Sequence, residues 1–216
     1  MMKNLFDCIH FEYLSWSTIK PVKTLLDNEI HLWRIHELPK DGVDSLKACA
    51  QIISFYCGDN VEIIRNANGK PVVYSKKNYT QPYEVQFNLS HSRNSFLIGF
   101  IKNSYIGVDI ESPHSQRDFL SLATRFFSEN EISQLKLCPL EKQKDLFYQF
   151  WTLKEAMIKC LGTSLFVGLQ RAQFIISDSK INLDTDFKKF PEDQFFQFKH
   201  FKDTDYFSIV LTSFAN

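Results

Sequence analysis

Hydrophobic and polar residues alternate with the two-residue period of β-strands along much of the chain. Residues 96–101 and 105–110 are expected to pair as a hairpin that turns at 102–104, and an Asn68-Gly69 turn separates two other strands. The predicted strands are residues 31–38, 61–65, 71–74, 85–89, 96–101, 105–110, 174–176, 195–201 and 207–211.

Three other stretches have the three- and four-residue spacing of helices. One covers residues 44–55, and a second begins after Ser128, which forms a capping box with Glu131. The third and longest, residues 145–161, ends at Gly162. Its apolar positions are Leu146, Phe150, Leu153, Met157 and Leu161. Helix precedes strand in both halves of the chain, so a mixed fold of helices and strands is predicted, divided near residue 104 into an N-terminal half (1–103) and a C-terminal half (104–216).

Composition narrows the class of protein. Of 216 residues, 44% are hydrophobic and 23% charged, which excludes collagen-like and largely disordered chains. Lys+Arg and Asp+Glu number 25 each, so no net charge attracts nucleic acid or an anionic membrane. Five scattered cysteines without a C-x-x-C pair indicate free thiols, and no signal peptide is recognisable at the N-terminus. A cytoplasmic protein that binds neither nucleic acid nor membrane is expected.

Two acidic residues end the strand predicted at 105–110. Asp109 and Glu111 are two residues apart, so both carboxylates point to the same face of an extended strand. Adjacent carboxylates repel each other and favour a cation between them. The alternative is a pair of solvated acids at a strand end.

The longest predicted helix adds a third carboxylate. Thr152, Glu155 and Lys159 share one stripe, predicted to lie away from the apolar face. Glu155 and Lys159 could form an ordinary surface ion pair. Together with Asp109 and Glu111, however, they supply the oxygens that hold Mg²⁺ and the ammonium group that neutralises a polyphosphate. A magnesium-dependent phosphoryl-transfer site is therefore plausible from the chemistry alone.

Two short segments contribute weaker signals. Ser90 and His91, within NLSHS (88–92), could donate hydrogen bonds to a phosphate or could cap a turn. The segment NGKP (68–71) combines a turn glycine with a lysine, although most such segments are only turns.

Five motifs, taken in order, resemble the signature set of the 4′-phosphopantetheinyl transferases, in particular the larger monomeric type that acts on the carrier proteins of peptide synthetases and related systems. GVDIE followed by W-x-x-K-E-x-x-x-K is the specific part of this resemblance. The motifs are NGKP (68–71), FNLSHS (87–92), GVDIE (107–111), RFFSENE (125–131) and FWTLKEAMIKCLG (150–162).

The resemblance implies two similar α+β halves in a pseudo-twofold arrangement, with coenzyme A bound in the cleft between them. It further implies Mg²⁺-dependent transfer of 4′-phosphopantetheine from coenzyme A to a serine of an apo acyl or peptidyl carrier protein. Adenosine 3′,5′-bisphosphate would be released, and the protein would be a monomer.

The resemblance also assigns roles to individual residues. The implied metal ligands are Asp109, Glu111 and Glu155. The implied contacts to coenzyme A are Gly69, Lys70, Pro71, Leu89, Ser90, His91, Lys154 and Lys159. The implied catalytic residues are Asp109, Glu155 and Lys159, with Glu155 or a water beside it accepting the serine proton.

One part of the family pattern is missing. Members usually carry an arginine-rich helix after the first strand, whereas residues 38–56 contain only Lys40 and Lys47 as cations. Arg34 and Lys40 are the candidates to replace those nucleotide contacts. Two other functions remain open: a coenzyme A-binding or carrier-binding module without catalysis, and a magnesium-dependent nuclease, which the neutral charge disfavours.

Overall fold

The chain forms two main β-sheets that pack face to face, each with a helix on its outer face. These features come from a computed structural model, in which the described residues are 5–15, 24–27, 29–36, 45–58, 61–67, 69–76, 78–82, 84–113, 118–163, 169, 172–177, 180–184 and 194–214. The predicted α+β fold class is confirmed.

The first sheet contains four strands in the order β1-β2-β7-β6, with β1 parallel to β2 and the other pairs antiparallel. A smaller antiparallel sheet, β3-β4-β5, carries the predicted turn around Gly69. The elements up to residue 102 are a short 3₁₀ helix (Leu5–Cys8), β1 (Ile9–Ser15), β2 (Ile30–His36), α1 (Ser45–Cys57), β3 (Val61–Arg65), β4 (Pro71–Ser75), β5 (Asn78–Pro82), β6 (Val85–Ser92) and β7 (Ser95–Lys102).

The second sheet has the order β11-β12-β8 and is antiparallel throughout, and β9 pairs with β10 beside it. The elements from residue 105 are β8 (Tyr105–Glu111), α2 (Phe119–Phe126), α3 (Glu129–Leu137), α4 (Leu140–Leu161), β9 (Phe174–Ser177), β10 (Lys180–Leu183), β11 (Gln194–Lys202) and β12 (Tyr206–Phe214).

Side-chain alternation on the strands divides the core into three clusters. Leu32 and Leu97 of the first sheet pack against Val108 and Ile209 of the second, which joins the two sheets. The outer face of the first sheet packs against α1 through residues such as Trp33. The outer face of the second sheet packs against α4, whose Phe150, Leu153 and Met157 are fully buried. Consequently α4 lies directly over β8, the strand that carries Asp109.

The predicted hairpin of β7 and β8 is wrong. β8 pairs with β12, with Asp109 opposite Ser208, while β7 pairs with β2 and β6. The chain turns at Asn103, which has a positive φ of 56°, and passes into the other sheet. Alternation predicts a strand but not its neighbour, and here both strands use their apolar side chains to contact each other across the sheets.

Helix ends agree with the sequence signals at two places. The Ser128 hydroxyl accepts from the Glu131 backbone N–H (3.2 Å) and Glu131 Oε2 accepts from the Ser128 N–H (2.8 Å), the predicted capping box. α4 ends at Gly162, whose φ of 63° is the left-handed conformation that glycine adopts without strain. α4 begins at Leu140, earlier than predicted, after the N-cap residue Pro139. The sequence analysis missed α2, β1, β5 and β10.

A half-buried histidine makes the second sheet sensitive to acid. His200 on β11 interacts through Nδ1 with the Ser208 hydroxyl (2.9 Å), and burial lowers its pKa from 6.5 to about 4. The Asp145 charge opposes this shift and the Lys202 charge adds to it. Because unfolded His200 binds a proton more readily than folded His200, stability should fall as the pH drops from 6.5 towards 4.

We expect this histidine to contribute up to about 3 kcal/mol to the acid-dependent loss of stability. Urea unfolding at pH 7 and at pH 4.5 measures the free energy of unfolding. His200→Gln is the variant that cannot bind a proton at this position. The loss between the two pH values should be smaller in His200→Gln than in the unchanged protein. An equal loss in both would contradict the assignment.

No described helix is both long enough and apolar enough to cross a membrane. Cys8, Cys57, Cys138 and Cys160 are free thiols, as predicted. The side chain of Cys49 lies outside the described part of the structure.

Candidate active site

A row of polar side chains joins the two sheets where β6 lies beside β8. The Asn88 Oδ1 atom accepts from the Val108 backbone N–H (3.0 Å), and the Ser90 hydroxyl donates to Asp109 Oδ1 (2.8 Å). One step further along, the Ser92 hydroxyl accepts from the backbone N–H of Ser112 (3.0 Å). The even-numbered residues of β6 therefore face β8, which brings Ser90 to the acidic end of that strand.

Gly107 allows α4 to lie against β8 at close range. A Cβ atom at this position would lie 1.9 Å from the Ala156 carbonyl oxygen and 2.4 Å from the Cys160 backbone nitrogen. Both approaches are far shorter than a van der Waals contact, so a side chain here would push the helix away. The glycine of GVDIE thus sets the distance between Asp109 and the polar residues of α4.

Asp109 is the centre of a compact cluster of charges. Its side chain is buried, and Oδ1 accepts from Lys159 Nζ (2.7 Å) as well as from Ser90. Lys159 also donates to the Ser90 hydroxyl oxygen (2.8 Å). The other carboxylate oxygen, Oδ2, is buried and has no hydrogen-bond partner among the described residues. One oxygen of a buried carboxylate therefore lacks the donor or cation that burial normally requires.

Two more carboxylates complete this cluster. Burial, the charge of Asp109 and the charge of Glu111 raise the pKa of Glu155 to about 7, while Lys159 opposes the shift. The Oε1 atom of Glu111 accepts from Trp151 Nε1 (3.0 Å), and the Trp151 ring stacks on Phe147. This hydrogen bond from Trp151 to Glu111 was not predicted from the sequence.

The charges of this cluster suit a hard divalent cation. Three mutually repelling carboxylates and one buried, unbonded oxygen are the arrangement that an oxygen-coordinated ion such as Mg²⁺ stabilises. Lys159 balances only part of the negative charge. The structure therefore brings the three predicted acidic ligands together with Lys159 and Ser90.

A pocket of about 230 Å³ opens beside the cluster, between the β3–β4 turn and the C-terminal end of α4. Lys70 from the turn donates to the Cys160 carbonyl oxygen (3.0 Å), which fixes the turn against the helix. The residues lining the pocket are Arg65, Gly69, Lys70, Pro71, Asn88, Leu89, Ile158, Lys159, Gly162 and Thr163. Five of the predicted coenzyme A contacts thus share one cavity. His91 is exposed at the end of β6 and is not part of this lining, and Asn68 lies outside the described residues.

Arg65 is a pocket residue that the sequence analysis missed. It ends β3, and its Nη1 donates to the Gly69 carbonyl oxygen (2.8 Å). Arg65 is exposed and adds a third cation to a pocket that Lys70 and Lys159 already line. The position of Arg65, four residues before the predicted turn glycine, could have indicated its place in the pocket.

The expected contact of Lys154 with pyrophosphate is wrong. Its ammonium group is fully buried, pairs with Glu131 (2.8 Å) and donates to the Ala172 carbonyl oxygen. Burial lowers the pKa of Lys154, and Glu131 opposes that effect. Lys154 follows Phe150 by four residues and precedes Met157 by three, so it lies on the apolar side of α4. That spacing was visible in the sequence.

Two other expectations need correction. Arg34 cannot replace the missing nucleotide contacts, because it is fully buried and bonds to Asp203, Asp205 and the Thr204 hydroxyl. Thr152 is not on an outward polar stripe but is buried, within 2.7 Å of the Ser208 hydroxyl. Lys40, the other candidate for the nucleotide contacts, lies outside the described residues.

Comparison of the sequence with known proteins shows which family it resembles. Residues 105–210, which include Asp109, Glu111, Glu155 and Lys159, match the sequence profile of the 4′-phosphopantetheinyl transferase superfamily. The matched residues make up 106 of the 216 residues of the chain, and the whole Asp109 cluster lies within them. The individual proteins that the chain resembles are also named phosphopantetheinyl transferases.

The 4′-phosphopantetheinyl transferase HetI of Nostoc sp. is 28% identical over 183 residues, which cover 70% of this chain and 76% of HetI. The 4′-phosphopantetheinyl transferase psf-1 of Bacillus pumilus is 38% identical over 102 residues, 47% of this chain and 40% of the relative. The human L-aminoadipate-semialdehyde dehydrogenase-phosphopantetheinyl transferase is 32% identical over 133 residues, which cover 58% of this chain and 42% of the human protein. The chain thus spans less than half the length of two of these three relatives.

Lys154 and Lys159 both lie on α4, so the same substitution at the two positions gives a matched pair of variants. Lys154→Met leaves Glu131 buried without its partner and should cost about 3–5 kcal/mol of stability. Lys159→Met should cost clearly less, because Lys159 is 28% exposed and Asp109 keeps its hydrogen bond from Ser90. Urea unfolding of both variants measures the difference, and a similar loss in both would contradict the buried pair.

Proposed function

We propose that this protein transfers 4′-phosphopantetheine from coenzyme A to a serine hydroxyl of an apo acyl or peptidyl carrier protein, with release of adenosine 3′,5′-bisphosphate. The observation that carries the proposal is the cluster of Asp109, Glu155 and Lys159, whose lysine also lines the pocket beside the β3–β4 turn. The names of the relatives agree with this activity.

The proposed metal ligands are Asp109, Glu111 and Glu155. Asp109 Oδ2 is buried without a hydrogen bond from any described residue, and Trp151 orients Glu111. Mg²⁺ bound there would offset the negative charge of the pyrophosphate. Ser90 and Lys159 hold the other oxygen of Asp109, so the carboxylate cannot rotate freely.

In the proposed reaction the serine oxygen attacks the phosphorus atom that bears the pantetheine arm. The bond between this phosphorus and the oxygen of adenosine 3′,5′-bisphosphate breaks, and the serine proton passes to Glu155. A carboxylate beside the serine oxygen can accept this proton directly or through a water beside it. The Lys159 ammonium stabilises the charge that develops on the phosphate oxygens.

The proposed nucleotide end of the site is the pocket. Lys70 and Arg65 lie on one side, and Leu89 lies on the other with the backbone of β6. Two cations and an apolar wall suit a ligand that combines phosphate groups with an aromatic base. In this proposal Gly69 and Pro71 shape the turn, and Ser90 and His91 lie on the side of the pyrophosphate.

We further propose that the protein is a monomer of two halves, residues 1–103 and 104–216, that acts in the cytoplasm. The passage of the chain from one sheet to the other at Asn103 and Ser104 supports the division. The described thiols, all free, fit a reducing compartment.

The proposed reaction predicts a product that can be measured without knowing the natural carrier. Adenosine 3′,5′-bisphosphate should appear on chromatography only when coenzyme A, Mg²⁺ and an apo carrier protein are all present. A carrier whose serine is replaced by alanine is the control and should give no product. Protection of the protein from unfolding by coenzyme A without product formation would instead support a binding module.

Arg65 tests the location of the nucleotide. Arg65→Ala removes one cation from the pocket without touching Asp109, so we expect the KM for coenzyme A to rise about 10-fold with little change in kcat. Steady-state assays with varied coenzyme A measure both constants. Arg125→Ala, an exposed arginine on α2, is the matched control. An unchanged KM would place the nucleotide elsewhere.

A further inference from the structure

A second cluster of possible metal ligands lies on the first sheet, apart from the Asp109 cluster. His10 on β1 is directly opposite His31 on the parallel strand β2, and Glu29 precedes His31 by two residues. This register places the three side chains on the same face of the sheet, the one covered by α1. Their ligand atoms all lie within 4.8 Å of one another.

The distances match the spacing of ligands around a single ion. His10 Nε2 lies 3.5 Å from Glu29 Oε1, and His31 Nε2 lies 3.5 Å from Glu29 Oε2. Two ligands at the ~2.0–2.1 Å distance of a zinc ion, in tetrahedral geometry, are about 3.4 Å apart. Two imidazoles and one carboxylate are a donor set typical of Zn²⁺ and suit Mg²⁺ poorly.

Neighbouring groups hold two of these side chains in place. His31 Nδ1 is 3.0 Å from the Tyr56 hydroxyl of α1, which already accepts from Trp33 Nε1 (2.6 Å). When that hydroxyl also accepts from the Nδ1–H of His31, the Nε2 atom carries the lone pair that a metal requires. Glu29 Oε2 accepts from the backbone N–H of Leu26 (3.0 Å), which orients the carboxylate.

We propose that His10, Glu29 and His31 bind Zn²⁺ and thereby link the edge strand β1 to β2. His31 is 2% exposed and His10 43% exposed, so the site opens to solvent on the side of His10, where water can complete the coordination. The Asp109 cluster is built on β8 and α4, so this inference is independent of the proposed transferase activity.

The test uses the full chain after dialysis against a chelator, with Co²⁺ as the spectroscopic probe and Zn²⁺ as the competitor. With excess Mg²⁺ present to fill the proposed Asp109 site, one equivalent of Co²⁺ should give visible absorption bands without thiolate charge-transfer absorption, and Zn²⁺ should displace it. Zn²⁺ should also raise the Tm of the unchanged protein, because an ion that binds only the folded state stabilises it.

Matched variants make the outcome specific. His10→Ala should abolish Co²⁺ binding and the Zn²⁺ effect on Tm, and its Tm in chelator should equal that of the unchanged protein because the side chain is partly exposed. His36→Ala, at the opposite end of β2 from His31, and Asp109→Asn should keep both. Tyr56→Phe should weaken binding about 10–100-fold. Absence of the Co²⁺ bands in the unchanged protein, or equal binding by His10→Ala, would overturn the proposal.

Discussion

Replacing Asp109 with asparagine is expected to reduce the rate of phosphopantetheine transfer by at least about 1,000-fold while the protein stays folded. The buried carboxylate holds Lys159 and Ser90 through one oxygen and offers the other to a cation. Asparagine keeps the shape of the side chain but removes its charge, and its amide N–H₂ cannot bind a metal. Steady-state transfer to an apo carrier measures the effect.

Two controls separate chemistry from folding in this experiment. Glu141→Gln changes an exposed acid in the first turn of α4 and should leave the rate unchanged. Thermal unfolding of Asp109→Asn should occur within a few degrees of the unchanged protein. Turnover of Asp109→Asn near the normal rate would remove Asp109 from the proposed site.

Replacing Gly107 with alanine is expected to destabilise the fold by more than about 4 kcal/mol. The new Cβ would lie 1.9 Å from the Ala156 carbonyl oxygen and 2.4 Å from the Cys160 nitrogen, both backbone atoms of α4. Neither can move unless the whole helix shifts away from β8. Any folded fraction should also lose activity, because the shift would separate Glu155 and Lys159 from Asp109.

Gly58→Ala is the matched control for this substitution. Gly58, unlike Gly107, has a left-handed φ of 72°, but no described atom lies within 4 Å of a Cβ placed there. Its replacement should cost only the roughly 1–2 kcal/mol of a left-handed alanine. Urea unfolding compares the two, and equal losses would contradict the close packing of α4 on β8.

Local sequence signals predicted the elements that place the site. The alternation over Tyr105–Glu111 put Asp109 and Glu111 on the same face, and the structure turns Asp109 towards α4. The apolar spacing of α4 and its glycine stop were equally readable because both depend on neighbouring residues. The motif resemblance added the assignments to Lys70 and Leu89, which the structure places in one pocket with Lys159.

Contacts between distant segments could not be predicted in this way. From the sequence alone, the positive charge of Arg34 made it a candidate for binding a nucleotide. In the structure Arg34 is buried and pairs with Asp203 and Asp205, which lie about 170 residues further along the chain. The pairing of β8 with β12 instead of β7 likewise depends on which sheet the chain enters after residue 103. Lys154 is different, since its position between Phe150 and Met157 already indicated the buried side of α4.

The most direct test of the account is the intact mass of an apo carrier protein after incubation with this protein, coenzyme A and Mg²⁺, with an EDTA-treated sample alongside. The account predicts that the carrier gains one phosphopantetheine group, that EDTA prevents the gain, and that Asp109→Asn does not support it. No gain on any of several fatty-acid, polyketide and peptide carriers, or a gain that Asp109→Asn still catalyses, would contradict it.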